Sequence, residues 1–230
     1  MVINWLHSRL HRPDRGWDPI SAEYAARYAE THPVDPALVE RFAATVGGLA
    51  GRSVVDVGCG PGHYSLEFAK RGAAVTCFDV SRNYLAMAKK RFLQANLSAE
   101  YYCGYLDEIG SVTKRKYDAL FVNICWYYCM NDFSFARALI DVLAPTGVIF
   151  VRETTEVFDT SPSKKRKLAY WLNRHFRWKV GHVMPPRGRI EAAFLRLGTH
   201  EVSADYRDPI TDIVTVRARE RNETPLAVGS

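Results

Sequence analysis

The chain has 230 residues, enough for one large domain and too few for two ordinary ones. Hydrophobic residues make up 47% and charged residues 24%, close to the globular average, which excludes a disordered or fibrous protein. The formal net charge is +6, and the segment Lys164–Arg189 holds nine Lys and Arg and no Asp or Glu. Subtracting nine from +6 leaves −3, so the remainder of the chain is mildly acidic.

The first fifteen residues are basic and lack the apolar core of a signal peptide. No stretch approaches the ~18 apolar residues that a membrane span requires. Together with an odd number of cysteines, five, this predicts reduced thiols and a cytoplasmic protein. We also expect a frayed N-terminus in which His7 and His11 are solvated.

Residues 1–50 are predicted to form a helical N-terminal cap. Ser21 is expected to begin the helix AEYAARYAE, and Asp35 the helix PALVERFAATVGG. Tyr24 and Tyr28 lie four residues apart and therefore share one face of the first helix, a spacing that core packing alone would also explain.

Between residues 51 and 154 short β-branched runs alternate with amphipathic helices. The predicted strands are SVVDVG, AVTCFDV, AEYYCGYL, YDALFVNIC and VIFVRET. The predicted helices are HYSLEFAKRG, NYLAMAKKRFLQAN after the cap Ser81, and DFSFARALIDVL, which stops before the turn at 144–147. Such alternation predicts right-handed βαβ crossovers and a parallel sheet covered on both faces.

Residues 155–198 are predicted to form a basic helical insertion, in which Ser163 caps KKRKLAYWLNRHFRW and RIEAAFLRLG follows as a helix. THEVSADYR and DIVTVRARE, within 199–220, are joined by a short turn and must be antiparallel. Residues 221–230 are expected to fray. The predicted fold is one α/β domain over 1–230: a doubly wound, mostly parallel, seven-stranded Rossmann-like sheet with an antiparallel last strand, a helical cap, and a helical insertion after strand 5.

The run DVGCGPG, residues 56–62, lies where the first strand ends and its helix begins. Three alternate glycines permit a sharp turn and a close backbone approach to a ligand, and the helix N-terminus offers free N–H groups. Asp79 ends the second strand, placed to accept hydrogen bonds from ribose hydroxyls, although it could instead cap the next helix with Ser81. The loop lacks the G-x-G-x-x-G spacing of dinucleotide sites, so we predict a different nucleoside-containing cofactor.

VVDVGCGPG, FDVS, YDALFVN, LAPTG and the closing strand pair resemble the class I S-adenosylmethionine-dependent methyltransferases of small-molecule type, over roughly residues 38–220. The resemblance implies methyl transfer with S-adenosylmethionine as cofactor. The positions it assigns to cofactor binding are Asp56, Gly58, Cys59, Gly60, Gly62, His63, Asp79, Val80, Tyr105, Leu106, Asn123 and Tyr28. Similar enzymes often carry an acid directly after a glycine in the third-strand loop, to contact adenine. Tyr105 stands there here, so Asp107 or backbone groups would replace it.

The acceptor side of the resemblance is less specific. Candidate catalytic residues are Glu153, His182 and Tyr127, and candidate substrate-binding residues are Trp126, Tyr128, Arg187 and Arg189. For the aromatic residues the alternative is hydrophobic packing, and for Glu153 a capped loop or a surface ion pair. The two cysteines Cys125 and Cys129 have no nearby histidine or paired cysteines, so no metal site is predicted.

The basic segment Lys164–Arg189 has four interpretations: binding of an anionic small molecule or phosphorylated carbohydrate, peripheral contact with an acidic membrane, contact with an RNA backbone, or an ordinary solvated face. The sequence favours a methyltransferase acting on a small, anionic metabolite or a glycan- or lipid-linked acceptor. The alternatives are an RNA methyltransferase and a catalytically silent cofactor-binding or interaction module. The oligomeric state stays open.

Overall fold

The computed structural model of the chain describes residues 2–155, 164–176 and 183–219. The strands are β1 (Ser53–Val57), β2 (Ala74–Asp79), β3 (Glu100–Cys103), β4 (Tyr117–Asn123), β5 (Leu143–Thr154), β6 (His200–Asp205) and β7 (Thr211–Ala218). The helices are α1 (Val2–Leu10), α2 (Ala22–Thr31), α3 (Pro36–Thr45), α4 (His63–Lys70), α5 (Arg82–Gln94), α6 (Ile109–Val112), α7 (Asp132–Val142), α8 (Lys164–Phe176) and α9 (Arg189–Leu195). The predicted cap Ser163, the candidate His182 and the tail 221–230 lie outside the described residues.

Three predicted helix starts are confirmed by their side chains. The Ser21 hydroxyl accepts a hydrogen bond from the Tyr24 N–H, and the Asp35 carboxylate accepts one from the Ala37 N–H. Ser81 caps α5 in the same way. Each side chain satisfies a donor that a helix leaves unpaired in its first turn.

The sheet has seven strands in the order β3-β2-β1-β4-β5-β7-β6. The first five strands in chain order pair in parallel, and β7 runs antiparallel to both β5 and β6. The predicted doubly wound, mostly parallel sheet is therefore confirmed. Because β2 and β4 lie on opposite sides of β1, the strand order reverses at β1, and a crevice opens outside the carboxyl ends of β1 and β4.

One strand begins earlier than the sequence predicts. We expected β5 to start at Val148, after a turn, but Leu143 already pairs with Tyr117 while Val148 pairs with Ala119. The residues between them form an irregularity within one strand, because the chain resumes pairing immediately after α7.

The core lies on both faces of the sheet, as expected for strands that are covered by helices. On one face Phe42 of α3 packs against Phe68, Phe121 and Phe150, with ring centroids 4.9 to 5.7 Å apart. On the other face the fully buried Trp126 packs on aromatic rings of α7 and α9.

The described N-terminal residues form a helix that packs on the rest of the chain, so the expectation of a frayed N-terminus is wrong for them, whereas His7 and His11 are exposed as expected. The rings of His7 and His11 lie 4.5 Å apart, and both contact Trp17. The Tyr105 hydroxyl donates to the backbone oxygen of His11 at 2.6 Å. Stacking of the Tyr105 and Trp17 rings removes aromatic surface from water, which explains why the N-terminal segment packs here.

In the part of the chain that the structure describes, no helix has the length and apolar content to cross a bilayer. All five cysteines are free thiols.

Candidate cofactor and active site

The glycine loop between β1 and α4 lies at the crevice where the strand order reverses. Gly62 is the N-cap of α4 and has a left-handed φ of 78°. The first turn of α4 therefore begins directly at the crevice, with N–H groups and the positive end of the helix dipole facing it. Such an arrangement favours a ligand whose polar part lies along the loop.

The carboxylate of Asp79 faces this loop from the end of β2. One of its oxygens accepts a hydrogen bond from the Gly60 N–H at 2.9 Å, and the other accepts one from the Ser81 N–H at 2.8 Å. Burial raises the pKa of Asp79 to about 6, although these N–H groups oppose the shift. Asp79 thus braces the loop and caps α5, and each oxygen retains a lone pair for a hydroxyl donor.

The carboxylate of Asp56 lies beneath the loop. It accepts a hydrogen bond from the Ser65 hydroxyl at 2.6 Å, which ties β1 to α4. Burial raises the pKa of Asp56 to about 7, opposed by the Ser65 hydrogen bond. Asp56 therefore fixes the position of the loop from the protein side.

Two of the loop glycines are required by close neighbours, and the third faces open space. A Cβ at Gly62 would lie 2.6 Å from the Ala88 Cβ, and one at Gly58 would lie 2.8 Å from the Cys125 side chain. A Cβ at Gly60 would meet nothing within 4 Å. The backbone at Gly60 is therefore open to a ligand beside Asp79, which fits a nucleoside cofactor that approaches the loop closely.

A strained residue follows β4 on the other side of the crevice. Ile124 has a φ of +49°, a conformation that β-branched residues rarely adopt, and its N–H donates to the backbone oxygen of Arg152 at 2.8 Å. The turn carries Cys125 under the glycine loop, where its thiol donates to the backbone oxygen of Val57 at 3.1 Å. The end of β4 is thereby coupled to the loop.

A group of tyrosines from different elements gathers near Asp79. The Tyr28 ring of α2 stacks on His32 at 3.9 Å and lies 5.6 Å from the Tyr84 ring of α5. Burial raises the pKa of both phenols, and the negative charge of Asp79 raises these two pKa values further. Tyr24 and Tyr128 are close enough to contribute to the same effect. These rings can shield the crevice from water while presenting hydroxyl groups to it.

The other predicted cofactor residues line the loop and the neighbouring strand ends. Cys59 lies beside Cys77, and burial raises its pKa well above the usual range, so it is an inert thiol. His63 begins α4; burial and the charge of Arg91 lower its pKa, and its Nε2 atom is buried without a hydrogen-bond partner. Val80 is half-buried, and its backbone oxygen accepts from the Cys103 thiol at 3.4 Å.

The predicted adenine side is covered by the N-terminal segment. The half-buried Tyr105 ring stacks on Trp17 at 6.2 Å, and the Arg12 guanidinium lies 5.8 Å from its centroid. Leu106 is buried in the core. Asp107, which we considered as a substitute for the missing adenine acid, accepts the N–H of Met130 at 2.7 Å and so holds the loop after β4.

The candidates at the acceptor side divide into buried and accessible residues. Trp126 is fully buried and donates its indole N–H to Asp132 at 2.8 Å, which replaces the expectation that it walls an acceptor pocket. Glu153 is also fully buried and accepts the Trp126 backbone N–H at 2.6 Å. Tyr127 and Tyr128 share a hydrogen bond, and Tyr128 is exposed. Only the two tyrosines of this group present surface to an acceptor.

The two arginines that we expected to bind substrate are bonded to the protein. Arg187 donates to the buried Asp212 at 3.2 Å and to the backbone oxygen of Asp208. Arg189 donates to the Asn173 side chain at 2.7 Å and to its backbone oxygen at 2.6 Å. Since Asn173 lies on α8, Arg189 fastens the insertion helix to α9, and its position is explained without a substrate.

Sequence reasoning missed three residues at this site. Asp18 accepts the Asn83 N–H at 3.0 Å and lies near enough to Asp79 to raise the pKa of that carboxyl. Arg152 and Ile124 lie at adjoining strand ends. Arg152 offered a signal that we did not use: a charged residue inside the apolar run VIFVRET, next to the carboxyl end of a parallel strand.

Comparison with known proteins shows similarity to methyltransferases. Residues 54–147 match a family model described as a methyltransferase domain. A ubiquinone biosynthesis O-methyltransferase of Bordetella avium is 29% identical over 136 residues, which are 59% of this chain and 54% of that protein. The chain spans about half the length of the curated relatives it matches.

Two solved structures show the same fold at low identity. A magnesium protoporphyrin IX methyltransferase from Synechocystis PCC 6803 with bound SAM has a TM-score of 0.57 at 14% identity, covering 80% of this chain and 79% of that one. The cyclase SpnF has a TM-score of 0.60 at 16% identity, covering 79% and 80% of the two chains.

The sheet order and the glycine loop agree with the Rossmann-like fold of these methyltransferase structures, and residues 54–147 match the methyltransferase-domain model. Residues 54–147 are therefore similar to a methyltransferase domain, and the open backbone at Gly60 beside Asp79 fits S-adenosylmethionine as a ligand. Among the described residues, no group of three or more His, Cys, Asp and Glu is arranged to hold a metal ion.

Proposed function

We propose that this protein transfers the methyl group of S-adenosylmethionine to an oxygen atom of a small, anionic acceptor. The observation that carries the proposal is the open approach at Gly60 next to the Asp79 carboxylate, within a matched methyltransferase domain. The choice of oxygen is supported by the relatives, which are named O-methyltransferases.

The residues of the crevice have separable tasks in this proposal. Asp79 accepts the ribose hydroxyls, the Gly58–Gly62 loop lies along the amino-acid part of the cofactor, and Asn123 faces the methyl end. Val80, Tyr105 and Leu106 border the adenine. The cofactor supplies a methyl group on a sulfonium with an excellent leaving group, so the protein mainly aligns the acceptor and excludes water.

The tyrosines complete the acceptor side. Tyr28 and Tyr128 present rings that attract a sulfonium through cation–π contact and keep water away. Tyr127 is held by its hydrogen bond to Tyr128, and burial raises its pKa, so we assign it to acceptor contact rather than to proton removal. Glu153 acts as a positioning residue, because its bond to the Trp126 N–H holds the turn that presents these tyrosines.

Transfer of an isotopically labelled methyl group tests the proposal. The protein is incubated with labelled S-adenosylmethionine and either host extract fractions or protocatechuate, a carboxylated catechol. We expect label in a small, acidic product as an alkali-stable methyl ether, and less label with the Asp79→Asn variant at a subsaturating cofactor concentration. Label that appears only in RNA would support the RNA methyltransferase instead. A folded protein that binds the cofactor without labelling any fraction would favour a catalytically silent module.

We propose in addition that α8 contacts an anionic membrane surface and so brings the site to an amphiphilic acceptor. Leu168 and Trp171 are 57% and 45% exposed, and α8 carries no acidic residue. Lys164, Lys165 and Lys167 stand beside this apolar surface, a combination that suits an anionic interface. The observation favours a bilayer over RNA because the exposed aliphatic side chain of Leu168 gains nothing from a phosphate backbone.

Vesicle sedimentation tests this contact. We expect the protein to sediment with phosphatidylserine-containing vesicles and not with neutral ones, and Trp171→Ala to release it. Replacement of the solvent-facing Lys90 of α5 by alanine serves as a control. Binding to RNA at low salt without binding to either vesicle would contradict the membrane proposal.

A further inference from the structure

Arg152 stands at the carboxyl end of β5, directly beside the end of β4. It is paired with Asn123 in the β4–β5 ladder, and its Nη1 atom donates to the Asn123 side-chain oxygen at 3.2 Å. The side chain is half-buried. Its charge is therefore held at the crevice by a neutral amide.

Among the described residues, no carboxylate forms an ion pair with Arg152. Other arginines of the chain do have such partners: Arg41 donates to Asp205 at 2.6 Å and Arg187 to Asp212 at 3.2 Å. A partly buried charge without a counter-ion is costly in a folded protein. The single bond to Asn123 leaves most of the five guanidinium donors available to a ligand.

The position of Arg152 is tied to the glycine loop through Tyr64, the second residue of α4. Burial raises the pKa of the Tyr64 phenol, and the charge of Arg152 opposes that rise. Tyr64 packs on Phe121, and Phe121 stacks on Phe150. Asn123 and Arg152 follow these phenylalanines by two residues, so they emerge on the same face of the sheet.

Arg152 is reached from solvent on this face. Ile213 pairs with Arg152 in the β5–β7 ladder, so the two side chains project to the same side. Asn123, Arg152 and Ile213 are each only half-buried, so this end of the sheet keeps solvent-accessible surface. A small molecule can therefore approach Arg152 from the open end of the crevice.

We propose that Arg152 binds a carboxylate at the methyl-transfer end of the site and thereby selects the ligand. A planar guanidinium matches a carboxylate through two parallel hydrogen bonds, and it discriminates against neutral analogues. The inference rests on the proposed function, since it names the group that the acceptor or the cofactor presents there. The carboxylate belongs either to the acceptor or to the amino-acid part of the cofactor, and the two sources are separable by experiment.

Calorimetry on the full chain tests the proposal with Arg152→Gln and Arg152→Lys. The first titration compares S-adenosylhomocysteine with methylthioadenosine, which lacks the carboxylate. If Arg152 binds the cofactor carboxylate, Arg152→Gln lowers the affinity for S-adenosylhomocysteine on the order of tenfold and leaves the affinity for methylthioadenosine unchanged. Arg152→Lys keeps the charge but loses the planar pair of donors. Its affinity for S-adenosylhomocysteine should therefore lie between those of the wild type and of Arg152→Gln.

The second titration adds protocatechuate or catechol, its uncarboxylated analogue, to protein saturated with S-adenosylhomocysteine. If Arg152 binds the acceptor carboxylate, Arg152→Gln removes the preference for protocatechuate and leaves the affinity for S-adenosylhomocysteine intact. Arg41→Gln is the matched control, because its guanidinium already has Asp205 as a partner. It should change none of these affinities.

A second variant keeps the test valid if Arg152→Gln folds poorly. Asn123→Asp would supply an internal carboxylate to Arg152. It should raise the melting temperature of the protein and lower its affinity for the same ligand. Unchanged affinities in both Arg152 and Asn123 variants would overturn the proposal. Failure of the wild-type protein to bind S-adenosylhomocysteine would instead overturn the proposed function.

Discussion

The backbone N–H of Gly60 donates to the Asp79 carboxylate at 2.9 Å, so the acid at the end of β2 and the loop after β1 hold each other in place. The interaction fixes the carboxylate before any ligand arrives, which reduces the entropy lost on binding. Asp79 also accepts the Ser81 N–H. The helix-cap role and the ligand role therefore coexist in one side chain.

Replacing Asp79 by Asn should lower the affinity for S-adenosylhomocysteine on the order of tenfold or more, because a charged acceptor of hydroxyl hydrogen bonds is lost. Calorimetry measures the affinity. Asp118→Asn is the matched control, since Asp118 accepts the Ser53 N–H at 2.8 Å at the opposite end of the sheet. Equal affinities in the two variants would remove Asp79 from the cofactor site.

The affinity for S-adenosylhomocysteine should depend on pH through Asp79. Burial raises its pKa to about 6 in the free protein, and ribose hydroxyls donate to the ionised form. Affinity should therefore be constant well above pH 6 and fall as the pH drops through that value, by up to about tenfold per pH unit. The Asp79→Asn variant should lack this component of the profile, and a wild-type profile that stays flat would contradict the assignment.

The stability of the free protein should have the opposite pH dependence. Burial raises the pKa of Asp56 to about 7, above its value in the unfolded chain. The folded state therefore binds more protons between these values, and the stability contributed by this group is lost as the pH rises through about 7. Between pH 4 and pH 8 the free energy of unfolding of Asp56→Asn should rise by roughly 2–4 kcal/mol relative to that of the wild type. The reason is that the amide removes the cost of a buried charge. Urea unfolding at the two values measures the difference, and parallel profiles for both proteins would contradict it.

Alanine at Gly60 and at Gly62 should have different consequences. A Cβ at Gly62 collides with Ala88, so Gly62→Ala should lower the free energy of unfolding by roughly 2–3 kcal/mol. A Cβ at Gly60 meets open space, so Gly60→Ala should cost only about 1 kcal/mol of backbone strain and yet block the cofactor. Thermal unfolding and calorimetry separate the two effects. A Gly60→Ala protein with full cofactor affinity would show that the ligand does not approach this backbone.

The insertion helix α8 should detach when Arg189 is replaced by alanine. Arg189 donates twice to Asn173 and once to Asp132, and its loss should destabilise the protein by about 2–3 kcal/mol. Trypsin should then cleave within Lys164–Lys167 at a higher rate. Arg196→Ala is the control, because Arg196 is exposed and only covers the Phe133 ring. Unchanged cleavage would mean that other contacts hold the helix.

The periodicity of the sequence was sufficient for the fold. Alternating short apolar runs and capped helices predicted a doubly wound sheet, and the caps at Ser21, Asp35 and Ser81 were correct because capping depends on neighbouring residues alone. The start of β5 was missed because Leu143 pairs with Tyr117 across the sheet, and such a long-range pairing leaves no local signal.

The site was less predictable, because it depends on which donors and acceptors the fold brings together. Arg187 and Arg189 appeared as free guanidiniums in a basic segment, yet their partners Asp212 and Asn173 lie far from them in sequence or on another helix. Trp126 was selected because it follows the fourth strand and Glu153 because it ends the fifth, and both are buried. Ile124 carries no sequence signal at all, since its strained φ is imposed by the contacts around it.

The most direct test of the account is calorimetric titration of S-adenosylmethionine and S-adenosylhomocysteine into the folded wild-type protein. We predict binding of both, with one molecule per chain and a dissociation constant in the micromolar range or below. A protein that unfolds cooperatively, and is therefore intact, but binds neither compound would contradict the proposal that this chain is a methyltransferase.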